Sequence, residues 1–355
     1  MPSWESLIRI KPSPAWGSVG SVAGKGIFLN ADSETLESGA IVTERDNKIT
    51  GVRESLPDTF SIDRYIPKGD ITYQPRVDEL LLILMAHFQN VVRSGTGTFQ
   101  FFRNPNSPNW TVNGTNYNIG SSTAAGTGNN VYSLDVDKFL GFSQVSAAVG
   151  GNGIRFTNGI VDKLVFNQKY AEDLKITSSF KFLAGSLFSY PAAFAPTSAF
   201  GSFSAYSRFV DYHGTITLGT NTYDIDGIQL NFDNKTSDRS KLGQQGWSRF
   251  PFSAHYISDG QIFMELQDNL NRFAPGVSFS LTSEWQITGQ VGTIGIKVTQ
   301  PNCYFRAGEP QIGGGEEVIE NNKTYRAYPV AGSIGCPSTI VTVYTGTNLA
   351  GTLFS

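Results

Sequence analysis

Three short sequence blocks recur, in the same order, in the two halves of this 355-residue chain. Gly26-Ile27-Phe28-Leu29-Asn30, followed by Asp32 and Thr35, returns as Gly227-Ile228-Gln229-Leu230-Asn231, followed by Asp233 and Thr236. Tyr65-Ile66-Pro67-Lys68-Gly69-Asp70-Ile71 returns as Tyr256-Ile257-Ser258-Asp259-Gly260-Gln261-Ile262. Val149-Gly150 with Ile154-Arg155-Phe156-Thr157 returns as Val291-Gly292 with Ile296-Lys297-Val298-Thr299. One block could be chance, but three in order point to two diverged copies of one unit, a plan that constrains everything else. Between the first and second blocks the later copy is ten residues shorter, and between the second and third it is 49 shorter, so the copies differ in their loops.

Each copy reads mainly as strand. Apolar and polar residues alternate over Gly26 to Asn30 and Gly227 to Phe232, the period of a half-buried strand. Phe60, Ile62 and Tyr65 to Tyr73 read the same way, as do Ile154 to Phe166, Leu174 to Leu183 and Trp285 to Val298. Asn158-Gly159, Gly150 to Gly153 and Gly313-Gly314-Gly315 read as turns. One segment reads as helix. Pro75 suits a first turn, Asp78 and Glu79 suit its positive end, and Gly95 offers a stop. Val77, Leu80, Leu81, Leu84, Met85 and Phe88 make an apolar stripe for packing, and Leu266, Leu270 and Phe273 make a shorter equivalent in the second copy. The expected architecture is mainly β: a β-sandwich or half-barrel in each of two tandem copies, each with one flanking helix. The first domain spans 1–185 with an insertion at about 95–142, an uncharged connector spans 186–207, and the second domain spans 208–355. The insertion, rich in Gly, Asn, Ser and Thr, reads as an extra hairpin or surface elaboration. Leu183 to Ser207 holds no charge but has Phe188, Tyr190, Phe194, Phe200, Phe203 and Tyr206, so it is expected to pack along a domain or an interface.

Composition narrows the function classes. With 39% hydrophobic and 12% aromatic residues the chain is not disordered. Only 16% is charged, sparse for a soluble monomer, which implies a surface partly covered by neighbouring subunits. A net charge of −3 shows none of the basic excess of a dedicated nucleic-acid binder. Cys303 and Cys336 are too few for a disulfide framework and read as small buried hydrophobes. The longest apolar run, Leu80 to Phe88, falls short of the roughly 20 residues of a membrane span. Met1 to Trp16 holds Glu5, Arg9 and Lys11 and lacks a secretory pattern, so synthesis in a cytoplasm is expected. The Asn-x-Thr triplets at Asn109, Asn113, Asn234 and Asn322 are then not glycosylation sites.

No catalytic constellation assembles. His87, His213 and His255 lack metal-ligand spacing, and His87 reads as a helix-surface or packing residue. The acid pairs Asp135 with Asp137 and Glu316 with Glu317 could serve glycoside hydrolysis, but beside Asn/Gly-rich loops they read as solvated surface. Trp4, Trp16, Trp110, Trp247 and Trp285 are too scattered for a sugar platform. The chain is expected not to be an enzyme and to use no metal or cofactor.

Glu34-Thr35-Leu36-Glu37-Ser38-Gly39-Ala40-Ile41, Lys68-Gly69-Asp70-Ile71 and the Leu80-to-Phe88 helix resemble the opening unit of tailed-bacteriophage tail tube proteins. Ile294 to Tyr304, Gly308-Glu309-Pro310 and Gly313-Gly314-Gly315 before Glu316 resemble the closing strands of the branch in which one chain carries two tube domains. The insertion departs from that compact pattern. The resemblance implies sheets that join side by side into a ring: three chains, six quasi-equivalent positions, rings stacked head to tail. It implies a virion location in the tail, a tape measure protein inside the tube, tail tip and terminator proteins at its ends, and viral DNA passing through without specific binding or membrane contact. The ring-stacking element it implies is a long loop, Leu36 to Thr59 in copy one and Ser237 to Phe250 in copy two. Its candidate residues are Glu37, Glu44, Arg45, Asp46, Lys48, Arg53, Glu54, Asp58, Asp238, Arg239, Lys241 and Arg249, a mixed-charge set suited to a register-setting contact. A lumen that lets DNA slide should be acidic or neutral, since Lys and Arg contacts to phosphate dominate attraction. The alternative class is a secreted or surface β-rich module for carbohydrate binding or adhesion, which would be a monomer with an exposed aromatic cleft.

Overall fold

The structure, a computed structural model, describes residues 6–13, 26–37, 39–44, 60–94, 97–103, 109–112, 115–118, 132–140, 151–190, 201–210, 213–222, 225–236, 256–264, 276–287, 294–306, 323–330 and 337–346. Among these it is mainly β. The chain begins with β1 (Ser6–Pro12), β2 (Gly26–Leu29), β3 (Ala31–Glu34), β4 (Ala40–Glu44), β5 (Phe60–Tyr65) and β6 (Lys68–Tyr73), then the helix α1 (Val77–Phe88). Next come β7 (Val91–Ser94), β8 (Thr98–Phe102), β9 (Asn109–Val112), β10 (Thr115–Asn118) and β11 (Leu134–Leu140). They are followed by β12 (Gly151–Lys169), β13 (Lys175–Lys181), β14 (Ala184–Tyr190) and β15 (Gly201–Phe203). The second half holds β16 (Gly214–Leu218), β17 (Asn221–Thr222), β18 (Gly227–Asp233) and β19 (Ile257–Phe263). It ends with β20 (Ser278–Ile287), β21 (Ile294–Phe305), β22 (Lys323–Ala327) and β23 (Ile340–Thr345).

Seven antiparallel pairings of the first half have counterparts, in chain order, in the second. β1 pairs with β2 and β11, β12 pairs with β11, β13 and β14, and β6 pairs with β3 and β13. Likewise β16 pairs with β17 and β20, β21 pairs with β20, β22 and β23, and β19 pairs with β18 and β22. Details recur too. The β11–β12 and β20–β21 ladders each carry one register shift, between Leu134 and Val136 and between Phe279 and Leu281. Thr157 is the last residue of β12 on β14, and Thr299 the last of β21 on β23; these threonines end the third repeated block. The glycine shared by the second block has a common reason. A Cβ at Gly69 would lie 2.5 Å from the Thr35 carbonyl just after β3, and one at Gly260 would lie 2.3 Å from the Gln229 carbonyl in β18.

One sheet runs β14–β12–β11–β1–β2–β15, with β15 parallel to β2. Another runs β3–β6–β13–β12–β18–β19–β22 and continues through β21 to β20, β16 and β23, where β8 and β7 complete it. β12 belongs to both. It leaves the first sheet at Asn158, whose φ of 54° lies in the left-handed region and whose N–H donates to Asp135 Oδ1 at 3.1 Å. Asn158-Gly159 is therefore a bulge inside a long strand and not the expected turn, and Gly151 to Gly153 are strand as well. Trp285 to Val298 is divided between two strands, β20 and β21.

α1 packs against β12, β8, β21 and β23. It ends at Gln89, in the left-handed conformation, whose side chain bonds the Ala86 and Tyr132 carbonyls at 2.8 Å, so the stop precedes Gly95. Every helical residue except Asp78 is buried, so the expected single stripe is corrected to a helix enclosed on all sides. The insertion is corrected as well. β9–β10 is a separate hairpin, but β8 pairs with β23, and β11 lies between β1 and β12 with Leu134 and Val136 fully buried. Each such side chain contributes about 1.5–3 kcal/mol of burial, so these strands are core. Of the uncharged stretch, Ala184–Tyr190 is β14, and Tyr190 is buried.

Candidate assembly interface

The expected ring-stacking loop of the first half belongs to a hairpin set apart from the large sheet. β4 and β5 pair only with each other among the described residues. Glu44 ends β4 opposite Phe60. Glu37 stands at its base, exposed, 3.8 Å from Lys68 Nζ, with a backbone bridge between the same two residues. Arg45, Asp46, Lys48, Arg53, Glu54, Asp58, Asp238, Arg239, Lys241 and Arg249 lie outside the described residues, as do Leu266, Leu270 and Phe273. Leu80, Leu81, Leu84, Met85 and Phe88 are all buried on α1.

The sheet from β3 to β22 turns one face to the core, with Ile71, Ile176, Phe166, Leu230 and Ile262. Its other face is polar. The register aligns Thr72, Thr177, Val165, Asn231, Asp259 and Arg326 in one row across six strands. The Thr72 and Thr177 hydroxyls lie 2.9 Å apart, and Asn231 Nδ2 donates to Asp259 Oδ1 at 3.2 Å. The cations of this face are largely matched by acids. Lys163 faces Asp233, Arg326 faces Asp259, and Lys181 Nζ lies 3.3 Å from Asp162 Oδ2. A shallow groove of about 390 Å³ opens between Glu37, Lys68, Asp70, Asp162 and Lys181.

The face of the β14–β15 sheet opposite Ile8, Ile10 and Val136 holds the charges that sequence reading placed on a solvated surface. Asp135 and Asp137 are fully buried, which corrects that expectation. Asp137 accepts from Arg9 Nη2 at 2.5 Å and from Arg155 Nε at 2.5 Å, its cross-strand neighbours on β1 and β12. Asp135 accepts from Ser13 Oγ at 2.7 Å and lies 3.9 Å from Lys11 Nζ; burial pushes its carboxyl above the usual range. Alternation along β1 and β11 was the available signal: Arg9, Lys11, Asp135 and Asp137 occupy facing odd positions.

Buried polar contacts also cross between the halves. His87, at the end of α1, donates from Nδ1 to the Val161 carbonyl at 3.0 Å. Asn234, just after β18, donates from Nδ2 to the His87 and Val161 carbonyls at 3.0 and 3.1 Å. Burial lowers the His87 pKa to about 4, so the ring is neutral and is a core residue, not a surface one. Trp285 Nε1 donates to Gln168 Oε1 at 2.5 Å, placing that tryptophan in the core. Glu79 accepts from the Arg76 backbone N–H at 3.3 Å; burial, then Asp78, raises its pKa to about 8. Cys303 is buried and its thiol is pushed up to about 12 by burial, the inert state expected of a packing cysteine. His213 Nδ1 accepts from the Val210 N–H at 3.2 Å, and His255 and Cys336 lie outside the described residues. Among the described residues no group of three or more His, Cys, Asp or Glu is placed to hold a metal, and no helix is long and apolar enough to cross a membrane. No protein-family model matches the chain, and no curated protein sequence matches it.

Proposed function

We propose that the chain is a duplicated structural subunit that polymerises as stacked rings into the tail tube of a tailed bacteriophage, the conduit for its genome. The observation that carries this reading is the recurrence of seven strand pairings in two halves joined edge to edge, β12 of one on β18 of the other, within one sheet. Two similar units joined in this head-to-tail way form a heterologous contact, and such a contact generates rings when its rotation closes. Three chains then supply six similar positions. The polar, charge-matched face of the β3-to-β22 sheet suits a neutral lumen wall along which a phosphate backbone slides. The β4–β5 hairpin, paired with no other strand among the described residues, suits contact with the next ring. Tape measure, tip and terminator proteins would be the further partners, inside the tube and at its ends.

Negative-stain microscopy of the purified protein tests the reading: hollow rings or tubes with three-fold detail are expected. A monodisperse single chain across concentration and salt would overturn it.

A further inference from the structure

Three buried polar side chains of unlike chemistry converge where β1, β11 and β12 run side by side. Lys11 of β1 stands directly opposite Asp135 of β11 in the antiparallel register. On the other side of β11, Leu134 faces Gly159 and Val136 faces Phe156, so Asp135 alone opposes both Thr157 and Asn158. That two-against-one count is the bulge at Asn158, and a bulge re-aims the side chain it carries. Lys11 is 3% exposed, Asp135 0% and Asn158 1%, so an amine, a carboxyl and an amide share one water-poor place.

The carboxyl is divided between its neighbours. Asp135 Oδ1 accepts from Ser13 Oγ at 2.7 Å and from the Asn158 N–H at 3.1 Å. Oδ2 has no hydrogen bond within the protein and faces Lys11 Nζ at 3.9 Å. Ser133 Oγ donates to Asn158 Oδ1 at 3.4 Å, a contact that polarises the amide carbonyl. Two strand spacings, roughly 10 Å, separate the β1 and β12 backbones, a gap that a lysine and an asparagine side chain bridge together over the strand between them. Burial pushes the Lys11 pKa down and the Asp135 pKa up; Arg155 and Arg9 also oppose charge on Lys11, while Asp137 and Asp135 favour it. Both directions favour the neutral pair, in which the amine is nucleophilic and the carboxyl has a proton to give.

We propose that Lys11 and Asn158 are joined by an intramolecular isopeptide bond, formed once per chain by the folded protein itself, with Asp135 as the proton carrier. The neutral Lys11 amine adds its lone pair to Asn158 Cγ. The Asp135 carboxyl gives its proton to the departing Nδ2 and takes one from Nζ, ending as it began. The Nζ–Cγ bond forms, the Cγ–Nδ2 bond breaks and ammonia leaves, with no oxidant or reductant. The product straps β1 covalently to β12, the strand that belongs to both sheets and carries the seam to the second half. The bond holds whether or not the chain builds a tube.

Intact mass under denaturing conditions tests this on the full wild-type chain, which is expected to be lighter than its sequence by one ammonia. Digestion should yield a branched peptide linking Lys11 to Asn158. Lys11→Arg, Asn158→Ala and Asp135→Asn are each expected to lose the branched peptide and to show the full mass of their sequence. A wild-type mass equal to that of its sequence would overturn the bond. So would an ammonia loss confined to the Asn158-Gly159 peptide, the mark of a succinimide formed by the Gly159 nitrogen. A branched peptide that persists in Asp135→Asn would overturn the role of Asp135. Wild-type mass and digest decide the bond even where a variant fails to fold, and microscopy of assemblies decides the tube reading separately.

Discussion

Asp137 on β11 and Glu284 on β20 occupy matching places, each facing a cation across the next strand, yet the two pairs live in different surroundings. Asp137 and Arg155 are buried, and Arg9 from β1 adds a second guanidinium, itself set 5.3 Å from the Phe139 ring. Glu284 and Lys297 stand 3.8 Å apart with side chains 22% and 35% exposed, and Thr215 of β16 takes the place of Arg9. The backbone plan sets who faces whom; what covers the face decides whether the pair is obligatory. A buried pair that loses one partner leaves an uncompensated charge, whereas an exposed pair is replaced by water.

The largest expected effect follows directly. Asp137→Asn should lower unfolding free energy by about 3–5 kcal/mol, because two buried guanidinium groups lose their carboxylate. Glu284→Gln should cost about 0–1 kcal/mol. Equal losses in denaturant titrations would mean that burial is not what separates the two halves. Next come the matched glycines. Gly69→Ala and Gly260→Ala should each cost about 1–3 kcal/mol, since in both a new Cβ meets a neighbouring carbonyl at 2.5 Å or less. A neutral result at one position alone would show that the two close approaches are not equivalent.

pH separates the ends of α1. The folded pKa of Glu79 is raised to about 8, so its stabilising contribution is full below its unfolded value near 4.5 and is lost as pH rises through 8. His87 is depressed to about 4, so its contribution is full above about 6.5 and is lost as pH falls towards 4. Between about 4.5 and 6.5 the two oppose each other, and above about 7 Glu79 acts alone. Stability should therefore fall between pH 7 and 8 by up to about 1.4 kcal/mol per unit. Glu79→Gln should flatten that limb, and Tm against pH for both proteins checks it. The smallest effect is Leu187→Glu, expected to change single-chain stability by less than about 0.5 kcal/mol because the site is exposed. A larger loss in single chains would show that Leu187 supports the fold itself.

Much of the fold was legible from periodicity. Alternation gave the strands around Gly26, Ile154 and Gly227, and the apolar run gave α1 to within two residues of its start. The misses share a cause. Asp135 and Asp137 resemble a surface acid pair until β1 and β12 place Arg9 and Arg155 beside them, and those partners are 128 and 18 residues away. Asn158-Gly159 carries a turn signature, yet the same left-handed residue makes a bulge when both flanking runs have strands to pair with. β11 lies beyond a polar stretch, so its place between β1 and β12 depended on contacts no local pattern encodes.

The sequence by itself determined the β class, the helix and the three ordered blocks, because side-chain period and residue type are local properties. Only the tertiary structure decided that seven strand pairings recur between the halves, that the Asp137 pair is buried while the Glu284 pair is partly exposed, and that among the described residues β3 pairs only with β6 and β14 only with β12. Those are outcomes of which distant strand reaches which edge, and hydrogen-bond pairing between strands is chosen by geometry across the chain.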